Sequence, residues 1–237
     1  TIGGRSVGAA SGASFQAQEP ALGKALATVP LAGVEDLDLA VKSARQAFDG
    51  GLWSRQSGQK RTRLMMKLAD LLWDNLEAIA TVEARNIGKA ISSVKGELFQ
   101  GISELEYFAG AATKIHGRTN EAPNGFLNYT TREPLGVCGL IVPWNYPLLL
   151  TLRKLAPAIA AGNAVVLKPA QQSALSALIL GELATEAGFP EGAVNVISGS
   201  GTTIGAALAS HAGVDKVSFT GSTAVGRHIL EAAKADF

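Results

Sequence analysis

Asn145 is the residue of this sequence whose type and surroundings best suit a part in covalent chemistry. It lies in residues 143–147, between two aromatic residues and two prolines. Because proline fixes its own φ, this loop has little freedom, and a side-chain amide held still there can donate to an oxygen that becomes negative during a reaction. A loop asparagine that only satisfies its own turn is the alternative. Trp144 and Tyr146 also fit ordinary core aromatics.

A second candidate is Lys168, which follows the apolar run 164–167 and precedes Pro169. The proline ends the strand predicted there, so the ammonium is expected near the carboxyl edge of a sheet. At that position a lysine can donate hydrogen bonds to ribose hydroxyls or neutralise a phosphate. A merely solvated charge is the alternative.

Two glycine-containing turns follow later strands. Residues 199–205 resemble a dinucleotide-binding loop, but they are one residue too long for G-x-G-x-x-G and no acidic residue follows at the expected distance. Gly199 and Gly201 therefore also fit a simple turn. Gly221 and Ser222 open the next predicted helix, where free backbone N–H groups and the serine hydroxyl can face an anion. Pyrophosphate is the natural candidate for that anion.

The single cysteine and the histidines suit no chemistry. Cys138 lies in the middle of a predicted strand, where nothing local would lower its pKa, and we interpret it as a small buried hydrophobe rather than a nucleophile. The three histidines lack the spacing of metal ligands, so no metal site is predicted: His116, His211 and His228.

The second half of the sequence alternates short apolar strands with helices. We predict strands over 137–142, 164–167, 194–197 and 216–219, and helices over 148–161, 173–187, 202–209 and 223–233. This rhythm indicates an α/β fold, a Rossmann-like open parallel sheet with helices on both faces and right-handed crossovers. Ligands bind such sheets beyond the carboxyl ends of the strands, where the candidate residues lie.

The first half is predicted to be helical after a polar, Gly-rich opening, with helices that cover a sheet. Residues 117–134 differ, because 126–132 are rich in β-formers and indicate an exposed strand outside the core. The apolar helical faces are Leu37, Val41, Ala44 and Phe48, then Leu64, Leu68, Leu71 and Leu72, then Leu76, Ile79 and Val82, then Leu98, Ile102, Leu105 and Phe108.

Composition excludes several classes of protein. The 237 residues are 47% hydrophobic with a net charge of +1, which predicts a globular chain without a basic surface for nucleic acid. No apolar run is long enough for a bilayer, and one cysteine permits a reducing compartment, so we expect a cytoplasmic protein with no membrane partner. The chain begins without Met and ends inside a helical pattern at residues 235–237, from which we expect both ends to be trimmed.

With the motifs at residues 143–147, 168–170 and 219–223, the chain closely resembles the NAD(P)-dependent aldehyde dehydrogenase superfamily. The resemblance covers almost the whole chain and corresponds to the amino-terminal, cofactor-binding part of that fold. It implies oxidation of an aldehyde to a carboxylic acid with NAD(P)+ as hydride acceptor. In the family, a cysteine thiolate attacks the aldehyde, hydride passes to the nicotinamide, and water activated by a glutamate hydrolyses the thioester.

The resemblance implies roles for individual residues. Asn145 is similar to the side-chain oxyanion donor, Lys168 to the ribose-binding lysine, and Lys154 to a lysine near the substrate channel of many members. Gln171 stands where a glutamate often holds the ribose hydroxyls; it lacks the charge that would repel a 2′-phosphate, so either NAD or NADP is expected. The other implied cofactor contacts are Ile141, Val142, Pro143, Trp144, Gly201, Gly221 and Ser222.

The resemblance also implies an organisation. Residues 1–116 are the amino-terminal helical part of the cofactor-binding domain, 117–134 an oligomerisation hairpin that pairs subunits into a homodimer or homotetramer, and 135–237 the dinucleotide-binding βα units. The family's Glu-Leu-Gly-Gly-Lys motif, its cysteine and the last strand are not in this sequence, so the catalytic domain is absent and this stretch alone is expected to be inactive.

Two further expectations follow from that absence. An open sheet edge and a bare face predict an isolated chain that aggregates or is marginally stable. A non-catalytic nucleotide-binding or scaffold protein of the same fold is the alternative function. The presence of Asn145 favours the enzyme, because a binding protein needs no oxyanion donor.

Overall fold

The computed structural model describes residues 1–233, so the chain end predicted to be helical at 235–237, and with it the end of the 135–237 unit, lies outside the described residues. In chain order the elements are β1 (Ser14–Glu19), β2 (Lys24–Pro30), α1 (Val34–Asp49), α2 (Gly58–Asp74), α3 (Leu76–Ile87), α4 (Ile91–Ala111), β3 (Arg118–Asn120), β4 (Asn128–Thr130), β5 (Val137–Ile141), α5 (Pro147–Ala160), β6 (Ala164–Lys168), α6 (Leu175–Ala187), β7 (Val194–Val196), α7 (Ala206–Ala209), β8 (Lys216–Phe219) and α8 (Thr223–Ala233).

The central sheet has four parallel strands in the order β7-β6-β5-β8. The chain moves outward from β5 to β6 and β7 and then returns to the other side of β5 for β8. The strand order therefore reverses between β5 and β8, which is where open α/β sheets bind ligands. The predicted fold class, a Rossmann-like open parallel sheet with helices on both faces, is confirmed.

Alternate residues along the strands face opposite sides of the sheet and pack into two separate hydrophobic cores. Val137 and Val166 pack on one face against Leu37 of α1 and residues of α7, whereas Leu140 and Leu167 pack on the other face with α5 and α6. All residues of β5, β6 and β7 are buried. Burial on both faces explains why β5 and residues 164–167 of β6 are continuous apolar runs. The polar Asn195 in β7 donates hydrogen bonds to the Val165 and Gly192 carbonyls.

Helices α2, α3 and α4 form a further layer, which corrects one expectation. They were predicted to cover the sheet, but they pack mainly against α5 and α6, which lie between them and the strands. The reason is that α5 buries nine of its residues and so needs partners on both sides. Most predicted apolar faces are buried in this layer, among them Leu68, Leu72, Leu98, Ile102 and Leu105.

Strands β1 and β2 form an antiparallel hairpin that the sequence did not predict. Its turn ends at Gly23, which adopts a left-handed φ of 62°. The strands carry alanine at positions 17, 25 and 27, and alanine has a low β propensity, so the segment resembled an irregular opening. Contacts with α3 attach this hairpin to the rest of the fold.

Strands β3 and β4 form a second antiparallel hairpin within residues 117–134, where an excursion from the core was predicted. Every residue of both strands is exposed. Phe126, Leu127 and Tyr129 are 77%, 79% and 60% exposed, respectively. The hairpin therefore presents large apolar side chains to solvent.

Two polar side chains hold the start of β5. Asn163 Oδ1 accepts hydrogen bonds from the Leu135 and Gly136 N–H groups at 2.7 and 3.1 Å, and its Nδ2 donates to the Ala158 carbonyl at 3.0 Å. Asp215 accepts from the Val137 N–H at 2.7 Å. These bonds connect residues 135–137 to the carboxyl end of α5 and to the loop before β8.

Two kinds of feature are absent from residues 1–233. None of the helices there has both the length and the apolar character required to cross a bilayer. The same residues hold no group of three or more His, Cys, Asp or Glu side chains placed to bind a metal ion.

Candidate functional site

The site is built on the carboxyl edge of the sheet, where three strands end in register. Ile141 at the end of β5 lies opposite Lys168 of β6 on one side and Phe219 of β8 on the other. Neighbouring strands are about 4.8 Å apart, so the loops that leave these residues start close together. The structure thus brings the Asn145 loop, Lys168 and the turn at Gly221 to one edge.

Asn145 lies four residues beyond β5, in an exposed loop with a buried base. Ile141 and Val142 are 7% and 2% exposed, and the Val142 N–H donates to the Lys168 carbonyl at 3.2 Å. Pro147 begins α5, where proline is favoured because the first N–H groups of a helix have no partner. Within residues 1–233 the Asn145 side-chain amide makes no hydrogen bond, so its two N–H donors are available.

Lys168 carries a buried ammonium. The residue is 3% exposed, and desolvation lowers its pKa to about 8. No acceptor among residues 1–233 takes a hydrogen bond from its Nζ, which lies 3.8 Å from the position that a Cβ would occupy on Gly201. A buried amine without a partner is costly, and its donors remain free for the oxygens of a ligand.

The two glycine turns differ from each other. Gly201 begins a π-helical turn, Gly201–Gly205, that leads into α7, where a regular helix was predicted. At Gly221 a Cβ would clash with the Phe219 ring, so glycine allows the backbone to pass over that ring. The Ser222 hydroxyl oxygen accepts from the Val225 N–H at 3.3 Å and caps α8, which leaves its hydrogen free to donate to an anion.

A cleft of about 400 Å³ adjoins this edge; Trp144 and Gln171 line it, and its other wall includes residues of β1. Lys154 lines a separate cleft of about 390 Å³ next to β8, where its Nζ donates to Ser218 Oγ at 2.9 Å and burial lowers its pKa. Gln171 itself begins a short 3-10 turn after β6. The cofactor contacts assigned from the sequence remain predictions, although the structure brings their backbones to neighbouring strand ends.

Cys138 is a structural residue. It is 3% exposed in β5, and desolvation raises its pKa to about 11. A thiol that is almost fully buried and protonated at neutral pH is not a nucleophile.

The sequence analysis missed two charged residues behind the Asn145 loop. Glu83 accepts a hydrogen bond from the Leu148 N–H at 3.1 Å, and Lys89 donates to the Asn145 carbonyl at 2.6 Å. One signal was available for the first of these. Glu83 falls one turn after Ile79 on the buried face of α3, and a carboxylate in an apolar stripe requires a partner.

Comparison with known proteins finds a protein family and individual relatives that match this sequence. A family model described as "Aldehyde dehydrogenase family" matches residues 7–237. Aldehyde dehydrogenase family 2 member C4 of Arabidopsis thaliana is 47% identical over 236 residues, 99% of this chain and 47% of the relative. Retinal dehydrogenase 2 of Homo sapiens is 48% identical over 225 residues, 94% of this chain and 43% of the relative. The chain therefore spans about half the length of the curated relatives it matches.

A solved structure shows the same architecture. The crystal structure of PnpE from Pseudomonas sp. WBC-3, in complex with nicotinamide adenine dinucleotide, has a TM-score of 0.96 and 44% sequence identity to this chain. The match covers 99% of this chain and 48% of that chain.

Proposed function

Since this chain belongs to the aldehyde dehydrogenase family, we propose that the full-length protein that contains it oxidises an aldehyde to a carboxylic acid with NAD+ or NADP+ as hydride acceptor. The observation that carries the proposal is the meeting of Asn145, Lys168 and the Gly221 turn at one in-register sheet edge. That edge combines an amide donor and a buried amine, neither of which has a partner among residues 1–233, with a capped helix N-terminus.

The residues fit a dinucleotide. The Lys168 amine, with its three donors, suits ribose hydroxyls, and the close backbone approach permitted by Gly221 suits a pyrophosphate at the N-terminus of α8. Trp144 and Gln171 line the adjoining cleft. Bound there, NAD(P)+ would accept a hydride from the substrate carbon. Gln171 carries no charge, so both cofactors remain within the proposal.

Asn145 is assigned a catalytic role as the donor to an oxyanion. Attack of a thiolate on an aldehyde converts the carbonyl oxygen into an oxyanion, because the carbonyl π electrons move onto oxygen as the new S–C bond forms. The free amide N–H of Asn145 would donate to that oxygen and lower the barrier. The thiolate must come from elsewhere in the full-length protein, because Cys138, the single cysteine of this sequence, is buried in the sheet.

The exposed hairpin is assigned to subunit pairing. Its large apolar side chains, Phe126, Leu127 and Tyr129, suit burial against another copy in a homodimer or homotetramer. A cytoplasmic location is part of the same proposal, because a single buried thiol needs no oxidising compartment.

Steady-state kinetics of the full-length protein test the function. Formation of reduced cofactor from a panel of aldehydes is followed by absorbance with NAD+ and with NADP+. Asn145→Ala should lower turnover by roughly two to three powers of ten, while cofactor affinity and the melting temperature stay unchanged. Asn145→Asp, which keeps the shape but loses the donor, should be equally slow.

A specific result would favour the alternative function. Binding of NAD+ without turnover of any aldehyde would identify a non-catalytic nucleotide-binding protein. Full turnover of Asn145→Ala in the chemical step would remove Asn145 from its assigned role.

A further inference from the structure

The loop that carries Asn145 is held from behind by one ammonium. Lys89 follows the end of α3, where Gly88 adopts a left-handed φ of 69° and ends the helix. Its Nζ donates to the main-chain carbonyl of Asn145 at 2.6 Å. The loop needs such a contact, because its neighbours Trp144 and Tyr146 are 56% and 41% exposed and do not anchor it in the core.

The same ammonium is fixed by two further groups. The two carboxylate oxygens of Glu97 lie 2.9 and 3.0 Å from it, and it sits 4.1 Å from the centroid of the Tyr146 ring. Two hydrogen bonds to Glu97 and one to the Asn145 carbonyl use all three donors of the lysine. Charge-assisted bonds and a cation–π contact are stronger than neutral contacts, so the position of Nζ is well defined.

A second contact from α3 holds the far end of the loop. Glu83 Oε2 accepts from the Leu148 N–H at 3.1 Å, in the first turn of α5. Glu83 is 1% exposed, and burial raises its pKa to about 7. Lys89 and Glu83 therefore join α3 to the loop at Asn145 and at the start of α5.

We propose that Lys89 is a positioning residue that orients the Asn145 amide by holding its main-chain carbonyl. The inference rests on the proposed function, in which that amide donates to an oxyanion. With the carbonyl of Asn145 fixed, the side chain retains only its own two torsions. Small displacements of a donor cost large factors in rate, so loss of the Lys89 contact should lower turnover by about 10- to 100-fold.

A double-mutant cycle in the full-length protein tests this role. Lys89→Met should reduce kcat by about 10- to 100-fold, with cofactor affinity unchanged. In the Asn145→Ala background the same substitution should lower kcat by less than about threefold, because the effects of residues that act through one another are not additive. Lys89→Arg, which keeps charge and donors, should restore most of the turnover.

Control variants separate positioning from general damage. Lys95→Met removes a lysine six residues further along the chain, near the start of α4, and should keep full turnover. The Nζ of Lys95 lies 2.7 Å from Glu77 and does not contact the Asn145 loop among the described residues. If Lys89→Met does not fold, Glu97→Gln takes its place in the cycle, because it releases the ammonium and leaves the lysine present.

The two ways of failing are distinct. An equal loss from Lys89→Met in both backgrounds would overturn the positioning role and leave the function of Asn145 standing. Normal turnover of Asn145→Ala would overturn the oxyanion role and the positioning role together.

Discussion

Replacement of Lys168 by methionine should stabilise the unliganded fold and weaken the binding of cofactor. Desolvation lowers the pKa of Lys168 to about 8, against an ordinary value of 10.5. Because the folded-state pKa lies below the unfolded one, the unfolded chain binds more protons between those two values. Stability therefore rises with pH through that window, as the buried amine loses its charge.

The size of the effect follows from the same two values. A difference of about 2.5 pH units corresponds to about 3 kcal/mol of unfolding free energy near pH 7. At about pH 10 most of that cost is relieved, and about 1 kcal/mol remains. The free energy of unfolding of Lys168→Met should thus exceed that of the wild type by about 3 kcal/mol near pH 7, and this difference should become smaller as the pH rises.

Urea unfolding of the full-length protein without cofactor, at both pH values, measures the difference. Lys42→Met, at an exposed position of α1, controls for the removal of one positive charge. The affinity for NAD+ should fall by about 10- to 100-fold in Lys168→Met through loss of a charged hydrogen-bond donor. A stability advantage that does not change with pH would show that it does not come from the buried charge, and unchanged NAD+ affinity would show that the amine does not face the ligand.

Two further predictions concern the stability of the sheet and the pairing of subunits. Asn163→Ala should destabilise the protein by about 3 kcal/mol in urea unfolding, because two N–H groups just before β5 and one carbonyl in α5 lose their partner. Asn163→Asp, which keeps the accepting oxygens, should destabilise the protein less, and equal losses would contradict this account. Phe126→Ser with Leu127→Ser should shift the full-length protein toward monomer in light scattering after gel filtration, and an unchanged mass would exclude the hairpin from the interface.

The regular part of the fold was predictable because its local signals agree. The strand predicted over 164–167 is β6, Ala164–Lys168, and the helix predicted over 173–187 is α6, Leu175–Ala187, which is followed by Gly188 with a left-handed φ of 91°. In contrast, the β1–β2 hairpin depends on pairing between two segments in which only Phe15, Thr28 and Val29 are strong β-formers, so their local preference for strand is weak. The sheet order and the second helical layer follow from packing between distant segments.

The site was predictable in part for a similar reason. Asn145 and Lys168 could be placed at a sheet edge because each follows a strand in the sequence. Lys89 lies 56 residues before Asn145, and the sequence around it gives no sign of that contact. Glu83 contacts Leu148 over 65 residues. Only the folded chain shows that α3 supports the loop.

The in-register ends of β5, β6 and β8 also decide where this protein tolerates insertions. One extra residue inside β6 would advance Lys168 by about 3.3 Å and turn its side chain to the opposite face of the sheet. An extra residue in the loop between α6 and β7, at the other edge, would leave that alignment intact. Length variation can therefore accumulate on the amino-terminal edge of the sheet without altering the distances among the site residues.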